Sequence, residues 1–126
     1  MDPIQLFDLA SRQAQWLAVR QSVVAGNIAN ANTPDYRAKD VDSFESVLTG
    51  RHMSLASTHA AHFTESPLRN AIRTEDVSDG VAVRESGNSV EMSSELMKAG
   101  AVRRDFELNT SLVKSFHRMM LLTVQR

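Results

Sequence analysis

The chain contains no cysteine. That absence excludes a disulfide framework, thiol catalysis and cysteine-ligated metal, and it leaves the compartment open. No charge of one sign dominates either: 14 basic and 15 acidic residues give a formal net charge of −1. The two signs are interspersed, so no strong field draws the chain to nucleic acid or to anionic lipid. No stretch approaches the ~20 consecutive apolar residues of a transmembrane helix. The N-terminus reads Met1-Asp2-Pro3 where a secretory signal peptide has basic residues and an apolar run, so any passage out of the cytoplasm is expected to use another machine. No Gly-rich phosphate loop, nucleophile elbow or metal quartet is present, which argues against an enzyme, a cofactor or a small-molecule substrate. His59 and His62 stand three apart with His52 nearby. A metal site needs three or four converging ligands, and no acidic partner has matching spacing, so these are expected to be loop histidines.

What the chain does have is helical periodicity at both ends. A length of 126 residues with 42% hydrophobic content fits one domain with a modest core. Asp2 suits an N-cap and Pro3 the first helical turn. Phe7, Ala10, Ala14, Leu17, Gln21, Val24, Ile28 and Ala31 then step by threes and fours, predicting one stripe of a helix that runs to about Ala31. Ile4, Leu9, Trp16, Ala18 and Val23 lie off that stripe, more apolar surface than a two-helix unit needs. Gly26 sits in the last turns, where it costs roughly 1 kcal/mol relative to Ala and fits either a close backbone approach or a bend. The second pattern runs from Met92 through Leu96, Ala99, Val102, Phe106, Asn109, Val113, Phe116, Met120 and Val124. Ser89 or Ser93 caps it, with Glu91 and Glu95 at its positive end. Gln21 and Asn109 are polar positions on the two stripes, which either fix register or face solvent at a gap. The ending Met119-Met120-Leu121-Leu122-Thr123-Val124 is apolar nearly all round, which argues for burial against more than one neighbour.

Between the helices the signal is different. Asn27-Ile28-Ala29-Asn30-Ala31-Asn32-Thr33-Pro34-Asp35-Tyr36 ends the first pattern: Asn30 or Asn32 tolerates the left-handed conformation that closes a helix, and Pro34 cannot continue one. Ser43-Phe44-Glu45-Ser46-Val47-Leu48 reads as one or two helical turns folding onto the long helices, with Ser43 capping and Gly50 stopping. Beyond it, Pro67, Gly80, Gly87 and Asn88 break any long period, and Val77 and Val81-Ala82-Val83 allow at most short strands. The fold expected is mainly α. Long N- and C-terminal helices pair as an antiparallel coiled-coil-like hairpin around an irregular middle arm, with room for a short β-hairpin. The organisation is residues 1–50 for the first helix, turn and short helix, 51–88 for the arm and 89–126 for the last helix, one domain overall. Such a hairpin buries a limited seam against the entropy of ordering its helices, so the free subunit is expected to be loosely folded and to gain stability by packing into an assembly.

The string from Gly26 to Tyr36 resembles the N-terminal signature of the bacterial flagellar rod, hook and hook-associated axial proteins, A-x-N-I-A-N-x-x-T-P-G-Y. The residues that carry it are Asn27, Ile28, Ala29, Asn30, Asn32, Thr33, Pro34 and Tyr36, and Asp35 stands where the family usually has Gly. Asp also tolerates positive φ, so the turn survives the exchange at modest cost. The final helix, Asn109 to Leu122, is similar to the N-x-x-L-x-K-x-F-x-x-L-x ending of the FlgB-type small proximal-rod proteins. The resemblance implies a structural subunit at the base of the drive shaft that crosses the periplasm, forming the export channel and transmitting torque. It implies export without a cleavable signal, and as partners copies of the chain, other rod subunits, the rod's base adaptor and the export gate. Phe44 and Leu48 are similar to the Phe-x-x-x-apolar element that engages that gate. The assembly seam expected is Phe7, Ala14, Leu17, Val24, Ile28, Leu96, Val102, Phe106, Val113, Phe116 and Met120. The competing reading is a soluble coiled-coil adaptor or export chaperone, whose helices have the same period but which has no need of the Asn27–Tyr36 string.

Overall fold

The computed structural model describes residues 3–49, 72–77 and 83–124, for Pro3 and Ile4 the backbone only. Its elements in order are α1 (Pro3–Ala29), β1 (Lys39–Val41), α2 (Phe44–Thr49), β2 (Thr74–Asp76) and α3 (Met92–Val124). The two long helices pack together and run antiparallel. Asn27 meets Glu95, Ala10 meets Asn109 and Phe7 meets Phe116, so partners step in opposite directions along the chain. The fold is therefore mainly helical, with a small two-stranded antiparallel sheet in the middle.

Leu17 and Val24 of α1 and Val102 of α3 are buried, with Phe7, Ala14, Ile28, Val113 and Phe116 half-buried. The Phe7 and Phe116 rings meet edge to face with centroids 5.7 Å apart, a geometry that aligns ring edge with ring face. Leu96, Phe106 and Met120, placed on the stripe by spacing, stand exposed in the single chain. Glu95 takes the inward place beside Leu96 because Asn27 and Lys98 satisfy its carboxylate. Of the two polar stripe positions, Gln21 faces solvent and Asn109 is buried, its Nδ2 donating to the Ala10 carbonyl at 2.8 Å.

The described strands are built from largely polar residues. Lys39, Asp40 and Val41 pair antiparallel with Asp76, Glu75 and Thr74, extended by Val77 N–H to the Ala38 carbonyl and Asp42 N–H to the Arg73 carbonyl. This ribbon and α2 lie against α1 around Trp16, which packs with Leu17, Val47, Ile72 and Val102. The indole Nε1 donates to the Asp42 carbonyl at 2.9 Å, and the ring lies 5.9 Å from Phe44. A second small cluster, Ala31, Ala38, Val90 and Tyr36, sits beyond the end of α1. Residues 38–42 thus pair with residues 73–77. His52, His59, His62, Pro67 and the Val81-Ala82 pair lie outside the described residues.

Both helix ends depart from expectation in detail. The exit of α1 closes through three-residue turns, Ala31 N–H to Ile28, Thr33 N–H to Asn30 and Tyr36 N–H to Thr33, while Asn30 Nδ2 caps the Gly26 carbonyl at 2.9 Å. Neither Asn30 nor Asn32 is left-handed; among the described non-glycine residues Asp35 is, at φ 57°. Glu91 takes the place just before α3, its carbonyl accepting from Glu95 N–H, because Ser89 is engaged elsewhere. A methyl on Gly26 would meet nothing within 4 Å, so no approach inside the single chain requires that glycine.

Candidate functional site

Asn27, Asn30, Thr33, Asp35 and Tyr36 of the Asn27–Tyr36 string converge on one clamp, and Asn27 is its centre. The side chain is wholly buried. Its Nδ2 donates to the Lys39 carbonyl at 2.6 Å and to Glu95 Oε2 at 2.9 Å. Its Oδ1 accepts from Lys39 N–H at 3.0 Å and from the Tyr36 hydroxyl at 3.3 Å. One amide therefore bonds both main-chain groups of Lys39, as a neighbouring strand would. β1 has β2 on one edge and the Asn27 side chain on the other, so a three-residue strand is held without a third strand.

Charges extend the clamp. Lys98 Nζ bridges Glu95 Oε1 at 3.0 Å and Asp40 Oδ2 at 3.1 Å, and Asp40 also receives Arg20 at 3.3 Å. Two cations and two carboxylates thus join α1, β1 and α3 with no net charge. Burial pushes the Asp40 carboxyl up, but the Val41 N–H, Arg20 and Lys98 outweigh it and hold it below its ordinary value. Burial lowers Lys98, and its bonds to Glu95 and Asp40 more than reverse that, leaving it raised. Arg20 also lies over the Trp16 ring, 5.3 Å from its centroid.

The turn is held from its other side by residues 84–90. Asn88 Nδ2 donates to the Asn30 and Thr33 carbonyls at 2.9 and 2.7 Å, and its Oδ1 accepts from Val90 N–H at 2.7 Å. Ser89 Oγ accepts from Ala38 N–H at 2.9 Å, and Ser89 N–H bonds the Tyr36 carbonyl at 3.1 Å. Asp35 N–H donates to the Ser86 carbonyl at 2.9 Å. Gly87, at φ 75°, lies so close that a methyl on it would overlap the Asp35 carboxylate.

The structure brings together Asn27, Asn30, Thr33, Asp35 and Tyr36. Ala29, Asn32 and Pro34 face solvent, and Ile28 is half-buried. Phe44 packs on Trp16, and Leu48 is exposed. Asp40, Asn88, Ser89, Glu95, Lys98 and Arg20 were not legible as site residues. Their only signals, an Asn-Ser pair and a glutamate in the first turn of a helix, also read as ordinary capping. Among the described residues no cluster of three or more His, Cys, Asp or Glu is placed to hold a metal, and no helix is long and apolar enough to cross a membrane. What the arrangement does is mechanical: it fixes the exit angle of α1, the arm and the start of α3 to one another.

Residues 10–37, from within α1 through the turn that follows it, match the family model described as Flagella basal body rod protein. The chain is 55% identical to Flagellar basal body rod protein FlgB of Agrobacterium fabrum (strain C58), over all of this chain and 97% of the relative. It is 29% identical to the FlgB of Proteus mirabilis (strain HI4320) over 85% of this chain and 84% of that one. A further FlgB, from Cereibacter sphaeroides (strain ATCC 17029), is 37% identical over 63% of this chain and 62% of its own length. The chain belongs to the FlgB family of flagellar basal body rod proteins.

Proposed function

We propose that this chain is a structural, non-enzymatic subunit of the proximal rod. In this reading it assembles helically with copies of itself and other rod subunits into the drive shaft that transmits torque and encloses the export channel. The single observation that carries the reading is 55% identity, over an alignment that covers the whole chain, with a flagellar basal body rod protein. The clamp supports it: a shaft under torque needs its helices and arm coupled stiffly, and a buried polar network with every partner satisfied is stiff. The proposed site is the rod crossing the periplasm, with the base adaptor and the export gate as further neighbours. Phe44 and Leu48 serve the gate only while the chain is unfolded, because in the folded chain Phe44 is packed on Trp16.

The test is fractionation of tagged chain together with deletion of its gene. A rod subunit is recovered in purified basal bodies, and its loss leaves structures that stop at the base of the rod. A chain that stays in the cytosol while basal bodies form normally is an adaptor or chaperone, and the reading fails.

A further inference from the structure

The even mixture of charge that holds over the whole chain fails towards its end. From Leu108 to Arg126 the sequence has no acidic residue, while Lys114, Arg118 and Arg126 make the stretch basic. In the same stretch Leu108, Leu112, Met119 and Leu122 are each more than half exposed. Steps of four, seven and three residues keep these four on one stripe of α3, turned away from Val102, Asn109 and Val113, which face α1. Lys114 and Arg118, four apart and both exposed, run alongside that stripe. Among the described residues neither has an ion-pair partner. Glu107, by contrast, is held by Arg103 at 3.1 Å, and Asp8 on the facing end of α1 by Arg12 at 2.9 Å. Asp105 adjoins Arg104 one turn before the stripe, so that end is neutral. With Phe7 set against Phe116, α1 reaches only to about Met120, and Leu121 and Val124 stand exposed beyond it.

We propose that α3 from Leu108 onward lies on the surface of an anionic lipid bilayer when the chain is free. The apolar stripe enters the boundary between headgroups and acyl chains, and the stems of Lys114 and Arg118 reach up from it to lipid phosphates. The occupant is a bilayer because one boundary meets both needs: hydrocarbon for the large side chains and, beside it, a layer of phosphates for the cations. An apolar protein groove meets the first need without the second. The helix lies along the surface and does not cross it, since among the described residues no helix is long and apolar enough to span a membrane. Each cation near an anionic surface strengthens binding about fivefold. With two of them the attachment is reversible and weakens with salt. The clamp around Asn27, at the other end of the hairpin, stays clear of lipid. The proposal concerns the free chain and does not depend on the subunit reading above.

Flotation of the full-length chain with vesicles is the test, using phosphatidylcholine alone and phosphatidylcholine mixed with phosphatidylglycerol, each at low and high salt. The expected result is about tenfold or more additional binding to the mixed vesicles, falling at high salt. Lys114→Gln combined with Arg118→Gln should remove that tenfold gain, and Leu112→Ser combined with Leu122→Ser should lower binding to the mixed vesicles several-fold. Arg37→Gln combined with Arg73→Gln makes the same change in net charge at exposed positions of the turn and arm, and should bind as wild type. Circular dichroism checks helicity; if the leucine variant loses it, the charge variant, altered only at exposed positions, decides alone. No flotation, equal binding to the two vesicles, or an equal loss in the Arg37 and Arg73 variant overturns the proposal. Sedimentation without lipid tests the other occupant: a chain that is already oligomeric and fails to float has its stripe covered by copies, and the proposal is wrong.

Discussion

Asn27 is irreplaceable by its own isostere because its amide uses both ends: the oxygen serves Lys39 N–H and Tyr36, the nitrogen Lys39 C=O and Glu95. Asn27→Ala leaves these buried groups unpaired and is expected to cost about 3 kcal/mol in a urea unfolding series. Asn27→Asp is expected to be worse at neutral pH, because it sets a second carboxylate against Glu95. In the wild type, the depressed Asp40 contributes stability that is full above about pH 4 and is lost as pH falls through its lower folded value. The raised Lys98 contributes below about pH 10 and loses its contribution as pH rises through its higher folded value. Asp40→Asn should flatten the acid limb of the unfolding midpoint against pH and leave the alkaline limb less changed. Lys98→Met, which strands the buried Glu95, should cost about 3–5 kcal/mol. The string of asparagines was conspicuous in the sequence, but its partners were not: Glu95 is 68 positions from Asn27 and Asn88 is 58 from Asn30. Nothing local distinguishes those two residues from ordinary caps.

The long helices announced themselves by period, since residues three and four apart share a face whatever they later touch. Which stripe turned inward was less legible. On α3 the inward side holds Glu95 and Asn109, and hydropathy ranks Leu96 and Phe106 ahead of both. The strands gave no signal, because Lys-Asp-Val and Thr-Glu-Asp are too short to alternate and their β character comes from what they pair with. Gly26 belongs to this scale. With nothing within 4 Å of an added methyl, Gly26→Ala should stabilise the free chain by up to about 1 kcal/mol and raise its unfolding midpoint. If basal bodies then exclude the stabilised variant, a neighbour approaches that glycine in the assembly. Asn109→Leu is expected to hold or raise helicity while broadening the melt, because the bond to the Ala10 carbonyl that fixes helix register is gone.

Across the molecule, α1 with α3 forms one unit, and the arm of β1, α2 and β2 forms a second, docked on Trp16. The chain has one tryptophan, so its fluorescence reports arm docking and far-ultraviolet circular dichroism reports the hairpin. Phe44→Ala removes the ring beside Trp16 and should shift the fluorescence transition to lower denaturant by more than the helical one; coincident shifts would mean that the two units melt together. The clamp also imposes an order in time. A chain that emerges N-terminus first presents Asn27, Tyr36 and Lys39 long before Glu95 and Lys98 follow. The knot that fixes the arm stays untied until the opening turns of α3, which carry Glu95 and Lys98, have followed, so in any release from the N-terminus the clamp closes only after the whole turn and arm are out.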